Sequence, residues 1–184
     1  MRVPGGPLSR HAVVLAALAL VGGCERLLPV TAPIRTVMTP GRPGNDRLLV
    51  LLPGRGSRAE DYERRGFVRA ARAAGITADI VAADAHLGYY ERRVIQVRIE
   101  EDVILPGRAR GACRVWLSGI SLGGLGSVIV GYTNPKHVDG MLLLAPYLGP
   151  DSLISEIETA GGLRAWTPAP QAIDYVKLWS WLKG

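Results

Sequence analysis

Four short apolar runs punctuate the chain, each of strand rather than helix length. Leu48-Leu49-Val50-Leu51-Leu52 is continuous, which suits a strand buried on both faces of a parallel sheet. The others cover Thr77 to Ala83, Cys113 to Leu117 and Val138 to Ala145, and Pro33 to Met38 fits an early edge strand. Between them the pattern turns helical. Ser57-Arg58-Ala59-Glu60 has the spacing of a capping box, opening a helix that Gly66 interrupts and Gly75 stops. Tyr90 to Arg108 reads as helical, with a kink or restart near Pro106, because proline lacks the N–H a helix interior needs. A helix from Leu122 to about Tyr132 must end before Asn134-Pro135. Asp151 to Thr159 is a short helix, and Gln171 to Leu182 an amphipathic one carrying Tyr175, Trp179 and Trp181. Strands alternating with helices predict βαβ units. The fold class is therefore α/β, a mostly parallel sheet flanked by helices.

The first two dozen residues fall outside this pattern. Arg2 and Arg10 precede an apolar run from Ala12 to Val21, shorter than the about 20 residues a bilayer span needs. The run has the form of a signal peptide, residues 1–23. It ends in Leu20-Val21-Gly22-Gly23-Cys24, which resembles a bacterial lipobox. That resemblance implies a lipidated Cys24 as the mature N-terminus, a tether over residues 24–45 and a place in the bacterial cell envelope, on a membrane. The other reading is an ordinary cleaved signal with a chance cysteine. Residues 46–184 then form the folded domain. The chain has 184 residues and a formal charge of +6. Loss of Arg2 and Arg10 leaves 20 of its 22 basic residues against 16 acidic ones, a charge of +4. The basic residues are scattered among glutamates, as on a solvated face. No recognition motif points to nucleic acid. Cys113 is the only other cysteine. At the start of an expected buried strand it acts as a small hydrophobe, and no Cys/His spacing suggests a metal.

The chemistry concentrates at Gly119-Ile120-Ser121-Leu122-Gly123. A strand, then G-x-S-x-G, then a helix is the setting of a nucleophile elbow. The sharp turn lifts the serine hydroxyl clear of the sheet, and the crowded positions two before and two after must be tiny. The helix that follows aims its N-terminal N–H groups at the site where negative charge develops. Ser121 is thus the expected nucleophile. No P-loop or G-x-G-x-x-G occurs, which argues against nucleotide binding.

On these residues, together with Pro53-Gly54-Arg55-Gly56 after the first central strand, positions 46–150 resemble the α/β-hydrolase superfamily. The resemblance implies a serine hydrolase acting on an ester or related acyl bond of a small-molecule substrate, without a cofactor. Its oxyanion hole would use the N–H groups of Leu122 and Arg55. The family's triad runs serine, acid, histidine, and here the sequence departs from the pattern. The histidines are His11, His86 and His137, and none follows the last expected strand. Asp151 is either a candidate acid or a helix N-cap. His86, on the loop after the second buried strand, is a loop histidine bonded to backbone, a substrate contact or a surrogate base. Asp84 reads as a turn former. The expectation is a partial hydrolase fold lacking its last strands, truncated and close to inert alone. The alternative is an inactive fragment or pseudoenzyme. Oligomeric state is left open.

Overall fold

The computed structural model describes residues 28–168 and 174–184. The signal peptide and Cys24 lie outside the described residues. A five-stranded sheet is built from β1 (Thr36–Thr39), β2 (Arg47–Leu52), β3 (Asp79–Ala83), β4 (Arg114–Ile120) and β5 (Gly140–Leu144). Its spatial order is β1-β3-β2-β4-β5. The β3-β2-β4-β5 ladder is parallel, and β1 lies antiparallel on β3.

Register explains the composition of β2. Leu48, Val50 and Leu52 point to one face, where Ile95, Ile99, Val103, Ile104 and Val130 bury them. Leu51 points to the other, with Leu49 partly buried beside it, against Ala59, Tyr62 and Val68. A strand covered on both sides needs apolar residues at every position. The second face is covered by α1 (Asp61–Arg64) and α2 (Phe67–Ala73). Gly66 separates them with a φ of 81°, and Gly75 closes α2. There the N–H of Ile76 donates to Ala71 and that of Gly75 to Arg72, the paired bonds of a Schellman motif.

The first face carries α3 (Leu87–Glu91), α4 (Ile95–Ile99), a π-helical turn (Glu100–Ile104) and α5 (Leu105–Ala109). It also carries α6 (Leu122–Thr133). The helix expected from Tyr90 to Arg108 is therefore broken earlier than Pro106, at Arg93 with a φ of 56°. Pro106 instead follows directly on the π-helical turn, in the first turn of α5, where the α-helical ladder is already broken and its missing N–H costs least. The π turn aims Asp102 inward. Its carboxylate accepts the Ile34 N–H at 2.7 Å and Arg98 Nη1 at 3.1 Å, tying the segment before β1 to this layer. After β5 come α7 (Asp151–Thr159) and α8 (Asp174–Lys183). Leu178 of α8 packs with Leu122, Leu125 and Val128 of α6. Among the described residues, no helix is long and apolar enough to cross a membrane.

Three expectations need correction. The capping box does not form: α1 starts only at Asp61, and the Asp61 carboxylate accepts the N–H of Arg58 at 3.0 Å. Glu60 occupies the N-cap, and no side chain caps the helix. Cys113 is exposed rather than buried, because β4 begins after it, at Arg114. Asp84 bonds other segments rather than its own turn. Its buried carboxylate accepts the Ala59 N–H at 3.3 Å and Arg35 Nε at 3.3 Å, and pairs with Arg58 Nε at 3.4 Å.

The helices α1 and α2 cover β3 and β2 but leave the same face of β4 and β5 open. Trp116, Leu142 and Leu144 are 47, 58 and 40% exposed there, and Trp116 lies across Gly140 of its neighbour strand. An apolar patch beside a sheet edge promotes association. Leu142→Lys is expected to lower dye binding by exposed apolar surface and light scattering at high concentration. The unfolding midpoint should hardly move, since surface changes stay within about 0.5 kcal/mol. Unchanged scattering would remove this patch as the cause of any association.

Candidate active site

The last residues of β4 and the first of α6 make the site. Ser121 joins them with φ 50° and ψ −112°, a conformation that side chains adopt only when their surroundings compel it. The compulsion is visible in the neighbours. The Ser121 N–H donates to the Leu144 carbonyl at 3.0 Å. Its own carbonyl accepts from Gly124, Leu125 and Tyr147 at 2.9, 3.2 and 3.0 Å. A Cβ on Gly119 would fall 2.1 Å from the Gly123 carbonyl oxygen, and one on Gly123 would fall 1.9 Å from that of Leu52. Gly124 is equally constrained, with Pro146 2.6 Å from where its Cβ would be. Three successive backbones meet without side chains between them, and Ser121 remains exposed at the carboxyl edge of the sheet.

Across from it lies the loop after β2. A Cβ on Gly54 would stand 3.6 Å from Ser121 Cβ, so the glycine lets the loop pass against the serine. The Ser57 N–H returns to the Gly54 carbonyl at 3.0 Å and closes the turn. Serine and loop together floor a cleft of about 370 Å³. Arg55 lines it. Leu122 is the first residue of α6 and is buried; an N–H at that position has no acceptor inside its own helix. Asp61, Tyr62, Arg65 and Phe67 form the opposite wall.

Those four residues escaped the sequence reading, which took their segment only as a capped helix. The available signal was position: a helix just after the loop of a central strand stands at the carboxyl edge, where open α/β sheets bind ligands. Tyr62 ties this wall to the sheet. Its hydroxyl donates to the Leu52 carbonyl at 2.6 Å. Burial pushes its phenol well above the ordinary range, so it remains a donor at any working pH. Its ring meets Phe67 edge-on at 5.5 Å. The Leu52 carbonyl thus receives Tyr62 on one side and the backbone of Gly123 on the other. Asp61 is a buried carboxylate held by the Arg58 N–H and by ion pairs to Arg64 and, at 4.0 Å, Arg65.

The other sequence candidates lie elsewhere. His86 is 4% exposed and caps α3. Its Nδ1 accepts the Gly88 N–H at 3.2 Å, its Nε2 faces the Pro29 carbonyl at 3.4 Å, and its ring packs on Tyr89. Strand β2 separates β3, which it follows, from β4, and His86 does not line the cleft. Asp151 is exposed in the first turn of α7, while Pro150 occupies the N-cap. A carboxylate there suits the positive end of the helix. His137 pairs with Glu100, ahead of β5 at the end of the sheet opposite Ser121. Among the described residues, no histidine lines the cleft.

A parallel sheet with a serine on a strained strand-to-helix turn at its carboxyl edge is the core of the α/β-hydrolase fold. Solved structures share the mostly parallel sheet and its flanking helices. A ferulic acid esterase superposes with a TM-score of 0.50 at 14% identity, covering 71% of this chain and 69% of its own. Est1E from Butyrivibrio proteoclasticus gives 0.50 at 16% identity, covering 79% and 64%. A probable hydrolytic enzyme from Pseudomonas aeruginosa gives 0.48 at 19%, covering 78% and 53%. The chain thus spans between about half and two thirds of the length of these proteins. No family model and no curated protein matches the sequence.

The strain at Ser121 has a measurable sign. Glycine adopts such angles freely, and the cost to other residues is about 1–3 kcal/mol. Ser121→Gly is therefore expected to raise unfolding free energy by about 1 kcal/mol after the entropy glycine loses on folding. Gly123→Ala should fail to fold or lose more than about 3 kcal/mol. Denaturant titration of both variants checks the pair, and a Gly123→Ala protein of full stability would show that the backbones do not meet this closely.

Proposed function

We propose that this protein is a serine hydrolase acting on an ester or related acyl bond, with Ser121 as the nucleophile. The observation that carries the reading is the conformation of Ser121, exposed at φ 50° between Gly119 and Gly123 and facing the Gly54 loop. In this reading Ser121 Oγ bonds to the acyl carbon while the carbonyl π electrons move onto oxygen. The N–H groups of Leu122 and Arg55 hold that oxyanion. Collapse of the tetrahedral species expels the alcohol, and water repeats the sequence to release the acid. The serine proton passes to a base and from it to the leaving alcohol. The cleft residues offer no histidine for this transfer, and a serine without a base is a weak nucleophile. Binding and oxyanion donors alone still supply on the order of 10³–10⁴-fold over water.

Slow but serine-dependent turnover is the expected outcome. Wild-type protein should hydrolyse 4-nitrophenyl butyrate above buffer, added imidazole should raise that rate as a diffusible base, and Ser121→Ala should abolish both increments. Equal rates for wild type and Ser121→Ala, with and without imidazole, would end the proposal. Restored activity at Ser121 in the presence of imidazole, and only then, would assign the deficit to the base. Asp151 follows β5 and is proposed as the acid of the triad only on family resemblance.

We also propose that Cys24 carries lipid and holds the domain at a bacterial membrane surface, supported by the charged start, the short apolar run and Val21-Gly22-Gly23-Cys24. Lipidation anchors a domain without a spanning helix. Intact-mass measurement of protein expressed in a bacterium should show an N-terminal lipidated Cys24. An unmodified cysteine or a different N-terminus would refute it.

A further inference from the structure

The Ser121 cleft is not electrically neutral. Arg55 and Arg65 line it, and Asp61 is the only acidic residue among its walls. The charge of Asp61 is already engaged. Its carboxylate accepts the Arg58 N–H at 3.0 Å and pairs with Arg64, whose guanidinium lies outside the lining. It stands 4.0 Å from Arg65 Nη2, and the Arg65 side chain is 59% exposed. A contact that long to a carboxylate held by closer donors leaves most of the Arg65 fork turned to the cleft and solvent. The remaining walls are Phe67, 42% exposed, Tyr62, Ile120, Ser121 and the other residues of the loop. Aromatic surface beside a guanidinium, in a recess of about 370 Å³, accepts an apolar body that ends in an anion.

Building on the hydrolase reading, we propose that the substrates are esters carrying a carboxylate, with Arg65 as the residue that selects them. A carboxylate is planar and matches the guanidinium fork bidentately. A neutral ester of the same size gains only the aromatic wall. The attraction also depends on salt, because a partly exposed charge pair is screened over about 10 Å at 0.1 M ionic strength.

Binding of unreactive amides tests this without requiring turnover. Calorimetric titration of wild-type protein should give at least about tenfold tighter binding of N-phenylsuccinamic acid than of butyranilide. The difference should shrink as sodium chloride is raised. Arg65→Gln should bring the two affinities together, while Arg65→Lys, which keeps the charge and loses the fork, should keep part of the difference. Equal affinities in wild-type protein would overturn the proposal, as would a difference that survives intact in Arg65→Gln with its circular dichroism unchanged. Parallel rates on mono-4-nitrophenyl succinate and 4-nitrophenyl butyrate separate the two readings. Selective binding without Ser121-dependent release would retain the anion site and refute the hydrolase, whereas Ser121-dependent release with no preference would retain the hydrolase and refute the anion site.

Discussion

The site rests on the closeness with which three stretches of main chain meet. Strand β2 ends with the Leu52 carbonyl, strand β4 turns at Gly119, and helix α6 begins at Gly123, all within contact distances that exclude any Cβ. Dispersion and hydrogen bonding in such a junction are short-ranged, so a shift of even a methyl group propagates into the turn. The angles of Ser121 follow from that closeness. The Ser121 carbonyl is held by the N–H groups of Gly124 and Leu125 in the helix and of Tyr147 after β5, so the turn cannot relax without losing those bonds. Tyr62 then fixes the same Leu52 carbonyl from the second face of the sheet. One oxygen atom couples the helix layer on one side to the helix layer on the other, directly beneath the loop that faces the serine.

Much of this was legible because it depends on local pattern. The apolar run of β2, the glycines around Ser121, the break at Gly66 and the stop at Gly75 each state a backbone requirement in the residues themselves. The bounds of α7 were read correctly to the residue, because a helix-favouring acidic turn follows Gly149-Pro150. What escaped depends on contacts between distant segments. The role of Tyr62 requires knowing that its hydroxyl reaches Leu52, ten positions earlier. Asp84 was read as a turn former, yet it bridges to Arg35, Arg58 and Ala59, which no spacing rule encodes. The capping box matched a pattern, yet the helix begins only at Asp61 and carries no side-chain cap. Cys113 was taken as buried because the strand was started one residue early.

Charge is distributed with a consistent logic around the cleft. Acidic groups near it are spoken for: Asp84 by Arg35 and Arg58, Glu60 by Arg35, Asp61 by Arg64. The hydrogen bond from Arg35 holds the Glu60 carboxyl below its usual range. Arg55 and Arg65 line the cleft beside these acids. Ion pairs exposed on both sides, such as Arg35–Glu60, contribute little to stability. Their effect is on the potential that an approaching molecule meets.

The π-helical turn at Glu100–Ile104 has a bearing on how this chain tolerates change in length. A π turn holds one residue more than the α-helix it interrupts, and each residue rotates a helix by about 100°. The extra residue turns Asp102 toward Ile34 and at the same time sets where α5 points its own apolar side, with Gly107 packed close on Leu48. A single deletion in this stretch would shorten the segment only slightly, yet it would rotate everything after it by more than a quarter turn. Segment 95–109 therefore behaves as a ratchet with fixed teeth.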